Sequence, residues 1–267
     1  MFQLTTKLYN TLKTKVTTIC SQLFLKNSHK QNGRPLAIKT EDALTLGIFK
    51  QLNGITTKKA LYEMAQPNCS YKTLVESINR VQSMALYILM RLLRLNEINS
   101  HIVKHTDSTE LPVCSVKRAR AHKTMRDLAH KSKSSKGWFY GLKLHLTSDL
   151  TGKILRVAFS SGNGDDRAMA KKLNKGLRGV FVFDAGYVSK EFEQSIAQDG
   201  NLAIIIPRVN MKRLSSASDI FLMNTRMRIE LKFRSLKMFY GLVTSLPRSV
   251  NGYLANYVYA LLAGVLA

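Results

Sequence analysis

Three acids in this sequence stand where a carboxylate is costly to keep. Asp107 closes the β-rich run HIVKHTD at 101–107, Asp184 closes the apolar run GVFVFD at 179–184, and Glu230 lies within FLMNTRMRIELKFRSLKMFY at 221–240. Carboxylates at the ends of apolar strands are expensive to leave unpaired. Mg²⁺ or Mn²⁺ supplies the missing charge through oxygen ligands. Two such ions roughly 3.5–4 Å apart activate a water or a 3′-hydroxyl and stabilise the leaving oxygen in phosphoryl transfer. Around Glu230 the spacing predicts one helix with two faces: Ile229, Phe233, Leu236 and Tyr240 form an apolar stripe, and Arg226, Glu230, Arg234 and Lys237 a charged one. One acid among three bases suits a site that takes a metal through the acid and phosphate oxygens through the bases. Plainer readings stay open at this point. The charged face is also an Arg–Glu–Arg ladder on an exposed helix, and either aspartate alone is also a strand-end turn former.

The elements that must position these acids follow from patterning. Residues 1–100 read as mainly helical: a weakly patterned helix at 1–26, a loop at 27–35, and a helix from Thr40, read as its cap, to about Asn53, stopped by Gly54. Thr57 caps KKALYEMA, which Pro67 ends, and Ser70 caps a long helix at 71–96. The piece at 57–80 has the outline of a helix-turn-helix reader of DNA, and equally of an ordinary helical hairpin. From 101 the pattern turns to strands. A one-signed segment at 116–136, with Lys117, Arg118, Arg120, Lys123, Arg126, Lys131, Lys133 and Lys136, reads as a surface loop forming an electrostatic track for phosphates. GWFYGLKLHLTS and KILRVAFS read as a hairpin, Asp165 or Asp166 as the cap of DRAMAKKLNK, and 201–207 as a further buried strand. The order predicts an α/β (α+β mixed) fold, a mixed sheet with helices packed on it, in residues 101–267.

Composition narrows the partners. The chain has 267 residues and a formal net charge of +24, from 41 Lys and Arg against 17 Asp and Glu. Residues 1–105 hold 15 of the bases and 5 of the acids, so the charge is spread along the chain rather than confined to a tail. That excess points to a polyanion, nucleic acid before an anionic membrane. Three isolated cysteines without a CxxC pair argue against a disulfide framework or a structural zinc site and suit a reducing compartment. No N-terminal apolar core of a signal peptide is present. The apolar runs at 84–95 and 253–267 are too short or too interrupted to span a membrane and read as buried helices.

With these residues assembled, the sequence resembles insertion-sequence transposases of the DDE type, whose catalytic domain is RNase H-like. HTDST around Asp107 is similar to the strand bearing the first catalytic Asp, and FVFDAGYVS around Asp184 to the second, with its D-x-G-Y run. Arg226, Glu230 and Lys237 match three of the four positions of the Tyr-x2-Arg-x3-Glu-x6-Lys signature of one branch; Met223 stands where that branch has Tyr. WFYGLKLHL resembles the family's first hairpin and SGNGDDRAM the following loop, with Asp165 replacing its usual His. The resemblance implies a helical DNA-binding region at 1–100 and a catalytic domain at 101–267. It implies metal-dependent cleavage at transposon ends and strand transfer into target DNA, with Asp107, Asp184 and Glu230 both catalytic and holding two Mg²⁺ or Mn²⁺ ions. Arg226, Lys237, Arg234, Lys143, Lys131, Lys133 and Lys136 would contact DNA. Trp138 and Tyr140 suit base stacking or, more simply, core packing. A homodimer assembled on DNA in the bacterial cytoplasm, at the nucleoid, is the expected setting. A nuclease of the same fold that does not join strands, and a non-catalytic DNA-binding copy, remain the alternatives.

Overall fold

The computed structural model describes residues 2–23, 35–208, 210–211 and 214–267. Two compact units emerge: residues 93–235, and residues 1–92 together with 236–267.

The helical unit holds α1 (Phe2–Gln22), α2 (Thr40–Leu52), α3 (Lys58–Ala65), α4 (Tyr71–Arg80) and the first part of α5 (Gln82–Ile98). It also holds α10 (Val250–Leu266), an apolar helix buried over most of its length. The expected loop at 27–35 lies almost wholly outside the described residues. Three caps follow the sequence: Thr57 accepts from the Ala60 N–H, Ser70 from the Thr73 N–H, and Gly54 takes a positive φ of 61° just past α2. Thr40 does not cap α2; it is the first helical residue, and Lys39 holds the N-cap position without a side-chain bond. The single helix expected at 71–96 is two. The Tyr259 hydroxyl donates to the Ile78 carbonyl at 3.1 Å. That carbonyl would otherwise accept from Gln82 in an unbroken helix, so the ladder is interrupted where α4 meets α5. The run at 84–95 is also less buried than expected, since Leu86 and Met90 are exposed.

The other unit is built on six strands: β1 (Val103–Cys114), β2 (His130–Ser134), β3 (Gly137–Asp149), β4 (Ile154–Ser161), β5 (Val180–Phe183) and β6 (Leu202–Ile205). Their order is β2-β3-β1-β5-β6, with β4 also paired to β3. β3 is antiparallel to β1, β2 and β4, whereas β1–β5 and β5–β6 are parallel, so the sheet is mixed as expected. Helices lie on both faces. Phe181 and Phe183 join Ala170 of α6 (Asp166–Asn174) and Phe192 and Ile196 of α7 (Lys190–Gln198) in one cluster. Val103, Val182 and Ile204 meet Leu222 and Met223 of α8 (Ala217–Asn224) in another. The start of β5 lies close to the chain entering β1. Gly179 has φ +136°, and a Cβ there would collide with the Ile102 carbonyl.

Three further expectations change here, each for a local reason. Asp107 is not at a strand end. β1 runs on to Cys114 because β3 is long enough to pair with it from Lys104↔Asp149 to Cys114↔Tyr140. The segment at 116–136 is not one loop: Val116–Ala121 is a 3-10 turn, and Lys131 and Lys133 lie on β2, an edge strand that β3 recruits. The helix at 221–240 is broken into α8 and α9 (Met227–Met238). The Thr225 hydroxyl donates to the Leu222 carbonyl at 2.6 Å. That takes the acceptor the next helical turn would use.

Candidate active site

The parallel pairing of β1 and β5 runs from Val103↔Val180 to His105↔Val182. Continuing that register brings Asp184, just past the end of β5, level with Asp107. β5 therefore runs out where β1 carries its acid, and the sheet opens beside Asp107. Asp184 turns into a short 3-10 segment, Ala185–Tyr187, and caps it by accepting the Ala185 N–H at 2.7 Å. Asp107 likewise accepts the Ser108 N–H at 2.8 Å. Each aspartate thus spends one oxygen on the neighbouring backbone and keeps the other.

The break between α8 and α9 supplies the third element. His105 lies two residues before Asp107 on β1, and Thr225 is in the break; His105 Nε2 and Thr225 Oγ1 are 2.8 Å apart. Because the Thr225 proton goes to Leu222, the imidazole is the donor and its Nε2 carries the hydrogen. Burial pushes the His105 pKa down to about 4, so the ring is neutral at physiological pH. This bond fixes the break against β1, and Arg226, the next residue, reaches all three acids. Its guanidinium donates to Asp107 Oδ2 at 2.9 Å and to Glu230 in the first turn of α9, and lies 4.0 Å from Asp184 Oδ1. The Arg226 and Asp107 side chains are only 15% and 19% exposed, whereas Asp184 and Glu230 open to solvent. Burial raises the Asp107 pKa to about 6; the Ser108 amide and the Arg226 charge pull it down, while Asp184 and Asp166 push it up.

The structure therefore brings together Asp107, Asp184, Glu230 and Arg226. Among the described residues no three His, Cys, Asp or Glu side chains stand close enough to hold an ion as they are; a guanidinium occupies the place where the three carboxylates converge. Arg234 is exposed on α9, and Lys237 follows Glu230 by seven residues on the same helix. Lys131 and Lys133 are exposed on the edge strand and Lys136 pairs with Glu110 at 3.4 Å. Trp138, for which core packing was the simpler expectation, is 58% exposed with Lys131 Nζ 4.7 Å from its ring centroid; Tyr140 is buried as that expectation had it.

Lys143 is mostly buried and turned inward, donating to the Gly164 carbonyl at 3.0 Å and to Asp166 at 2.9 Å. Asp165 alone caps α6, accepting from the Ala168 N–H at 2.7 Å. Asp166 is not a cap: it faces Lys143 and His145 instead. His105, Thr225, Asp166 and Tyr187 were not singled out by spacing. Only the alternation of His105 and Asp107 on one strand face carries a sequence signal for any of them.

Residues 98–249 match the family described as Transposase DDE domain, a span of more than half the chain. The chain belongs to the DDE transposases. Among solved structures, this transposase is similar to a piggyBac transposase determined as a synaptic complex with hairpin DNA. That match has a TM-score of 0.54 and 11% identity, and covers 94% of this chain and 69% of the other. It is a likeness of fold, and the mixed sheet between helices is RNase H-like. A pre-cleavage Mos1 transpososome aligns over 92% of this chain and 84% of the other at 13% identity, with a TM-score of 0.26 that adds nothing to the fold. No curated protein matches the chain. No helix among the described residues is long and apolar enough to cross a membrane.

Proposed function

We propose that this transposase cleaves DNA at the ends of an insertion sequence and joins the freed 3′-hydroxyl to target DNA, using Asp107, Asp184 and Glu230 to hold two Mg²⁺ or Mn²⁺ ions. The observation that carries the proposal is the convergence of these three carboxylates, from β1, the end of β5 and α9, on the single guanidinium of Arg226. An all-oxygen, threefold anionic donor set suits a hard divalent cation. When bound, such ions activate a water or a 3′-hydroxyl and stabilise the leaving oxygen. Arg226 neutralises the acids in their absence. Holding an ion requires it to give up part of that pairing, and a DNA phosphate is the acceptor best matched to the freed guanidinium.

DNA is the partner the charge calls for. Lys131, Lys133 and Lys136, with exposed Trp138 beside them, offer a basic edge with an aromatic face for an unpaired base. Arg234 and Lys237 extend the basic surface along α9. The helical region at 1–100 is assigned to DNA binding, and a dimer on paired ends at the bacterial nucleoid is the assembly proposed. The solved piggyBac complex, a DNA complex of the same fold, supports this assignment. Membership of the Tyr-Arg-Glu-Lys branch rests on Arg226, Glu230 and Lys237. Met223, at the Tyr position, packs against the Val103–Val182–Ile204 cluster and contributes no hydroxyl.

The test is a two-step assay on plasmid DNA carrying the gene with its flanking sequence. Metal-dependent release of element ends, followed by their covalent joining to a second plasmid, is expected. Cleavage without joining would point to a nuclease, and binding without cleavage to a non-catalytic protein.

A further inference from the structure

The Tyr187 hydroxyl is buried, in a residue 4% exposed, and has no hydrogen-bond partner. Its ring is wedged between Phe183 and Phe192, with centroids 5.2 and 5.8 Å away, so the hydroxyl is fixed in direction. The backbone sets it beside the acids. The Tyr187 N–H donates to the Asp184 carbonyl at 3.0 Å, and Tyr187 shares its cluster with Ala170, one turn beyond Asp166 on α6. Burial first, and then the charges of Asp107, Asp166 and Asp184, hold the phenol protonated.

A second unpartnered atom belongs to the same place. Asp166 Oδ1 is buried and accepts no hydrogen bond. The nearest titratable group, His145 Nδ1 at 3.7 Å, offers it no proton. His145 Nε2 lies 2.8 Å from Ser160 Oγ, whose own hydrogen goes to the Ser161 carbonyl, so the imidazole hydrogen is on Nε2. A fixed donor and a fixed acceptor, both unmade, are costly unless something absent from the protein chain completes them.

We propose that Tyr187 and Asp166 are positioning residues that hold a water molecule beside Asp107 and Asp184, the hydroxyl donating to the water and Asp166 Oδ1 accepting from it. Water both accepts and donates, as this pair requires, whereas a phosphate oxygen only accepts and is repelled by the surrounding carboxylates. The inference rests on the reading of the acids as a cleavage site. There, the water is the nucleophile of hydrolysis. Its oxygen bonds to phosphorus, the bond from phosphorus to the 3′ oxygen breaks, one proton passes from the water to solvent and the departing 3′ oxygen takes one up. Joining uses a DNA 3′-hydroxyl as nucleophile and does not need this water.

The test compares Tyr187→Phe and Asp166→Asn with the wild type in two reactions: cleavage of an intact end, and joining of a pre-cleaved end that already carries its 3′-hydroxyl. Cleavage should fall about tenfold or more while joining changes by less than about twofold. The melting temperature of DNA-free Tyr187→Phe should hold or rise, because an unmade donor is removed. Equal loss in both reactions, or no loss in either, overturns the proposal. A high-resolution crystal structure decides it independently of activity: an ordered water within about 3.2 Å of both Tyr187 Oη and Asp166 Oδ1 is expected, and its absence overturns the pair's role. If the wild type cut no DNA, the cleavage reading would fall, and the crystal structure would still decide whether the pair holds a water.

Discussion

Arg226 is the cation of three ion pairs in the metal-free protein. Its replacement by Ala strands Asp107, the most buried of the three acids. Removing one partner of such a pair should cost about 1–3 kcal/mol, read as a lower melting temperature in chelator, and Mn²⁺ should restore much of the loss. An unchanged melting temperature would show that the acids need no cation. Asp107 also gives a pH signature. Its folded pKa, about 6, lies above its ordinary value of 3.8, so the folded protein keeps a proton that the unfolded chain releases. That contribution is complete below about pH 4 and is lost as the pH rises through about 6, so metal-free stability should decline across this window. Asp107→Asn should flatten the decline. At this scale the sequence was informative about charge and silent about pairing. The three acids were visible as acids out of place, and Arg226 as one base of a face. Nothing in the spacing told that Arg226 would join all three, because the chain bends back at Thr225 through a side-chain bond to Leu222.

Elements were legible where a local signal acts alone. The Ser70 and Thr57 caps, the Gly54 stop and the β3–β4 hairpin all rest on residues within a few positions of one another, and each formed. Elements failed where a distant partner decides. β1 continues past Asp107 because β3 pairs with it, β2 exists because β3 recruits it, and the helix at 71–96 is split because Tyr259 takes a carbonyl 181 residues earlier in the chain. The same long-range packing sets a testable limit in the helical unit. Gly47 of α2 lies against the Tyr259 ring, where a Cβ would approach within 2.5 Å. Gly47→Ala should destabilise that unit by about 1–3 kcal/mol in a denaturant titration, despite the higher helix propensity of Ala. A neutral or stabilising effect would mean that α2 and α10 are free to shift apart.

At the scale of the whole molecule, the net charge of +24 is larger than the catalytic site explains. Duplex binding should be weakly sequence-dependent and steeply salt-dependent, with log K falling by about 0.9 per phosphate contacted for each unit of log[salt] and a total slope of several units. A flat plot would contradict a phosphate-tracking surface. The most direct measurement is metal-dependent cleavage of plasmid DNA carrying the element ends by the wild type and by Asp107→Asn, Asp184→Asn and Glu230→Gln. Each amide keeps the shape of the side chain and loses the charge that holds a divalent ion. Cleavage should vanish in all three, with DNA affinity intact or slightly higher and the metal-free fold retained. Full Mg²⁺- or Mn²⁺-dependent cleavage by Glu230→Gln would contradict the assignment, leaving the Arg226–Glu230 pair as a surface ion pair and the third ligand elsewhere.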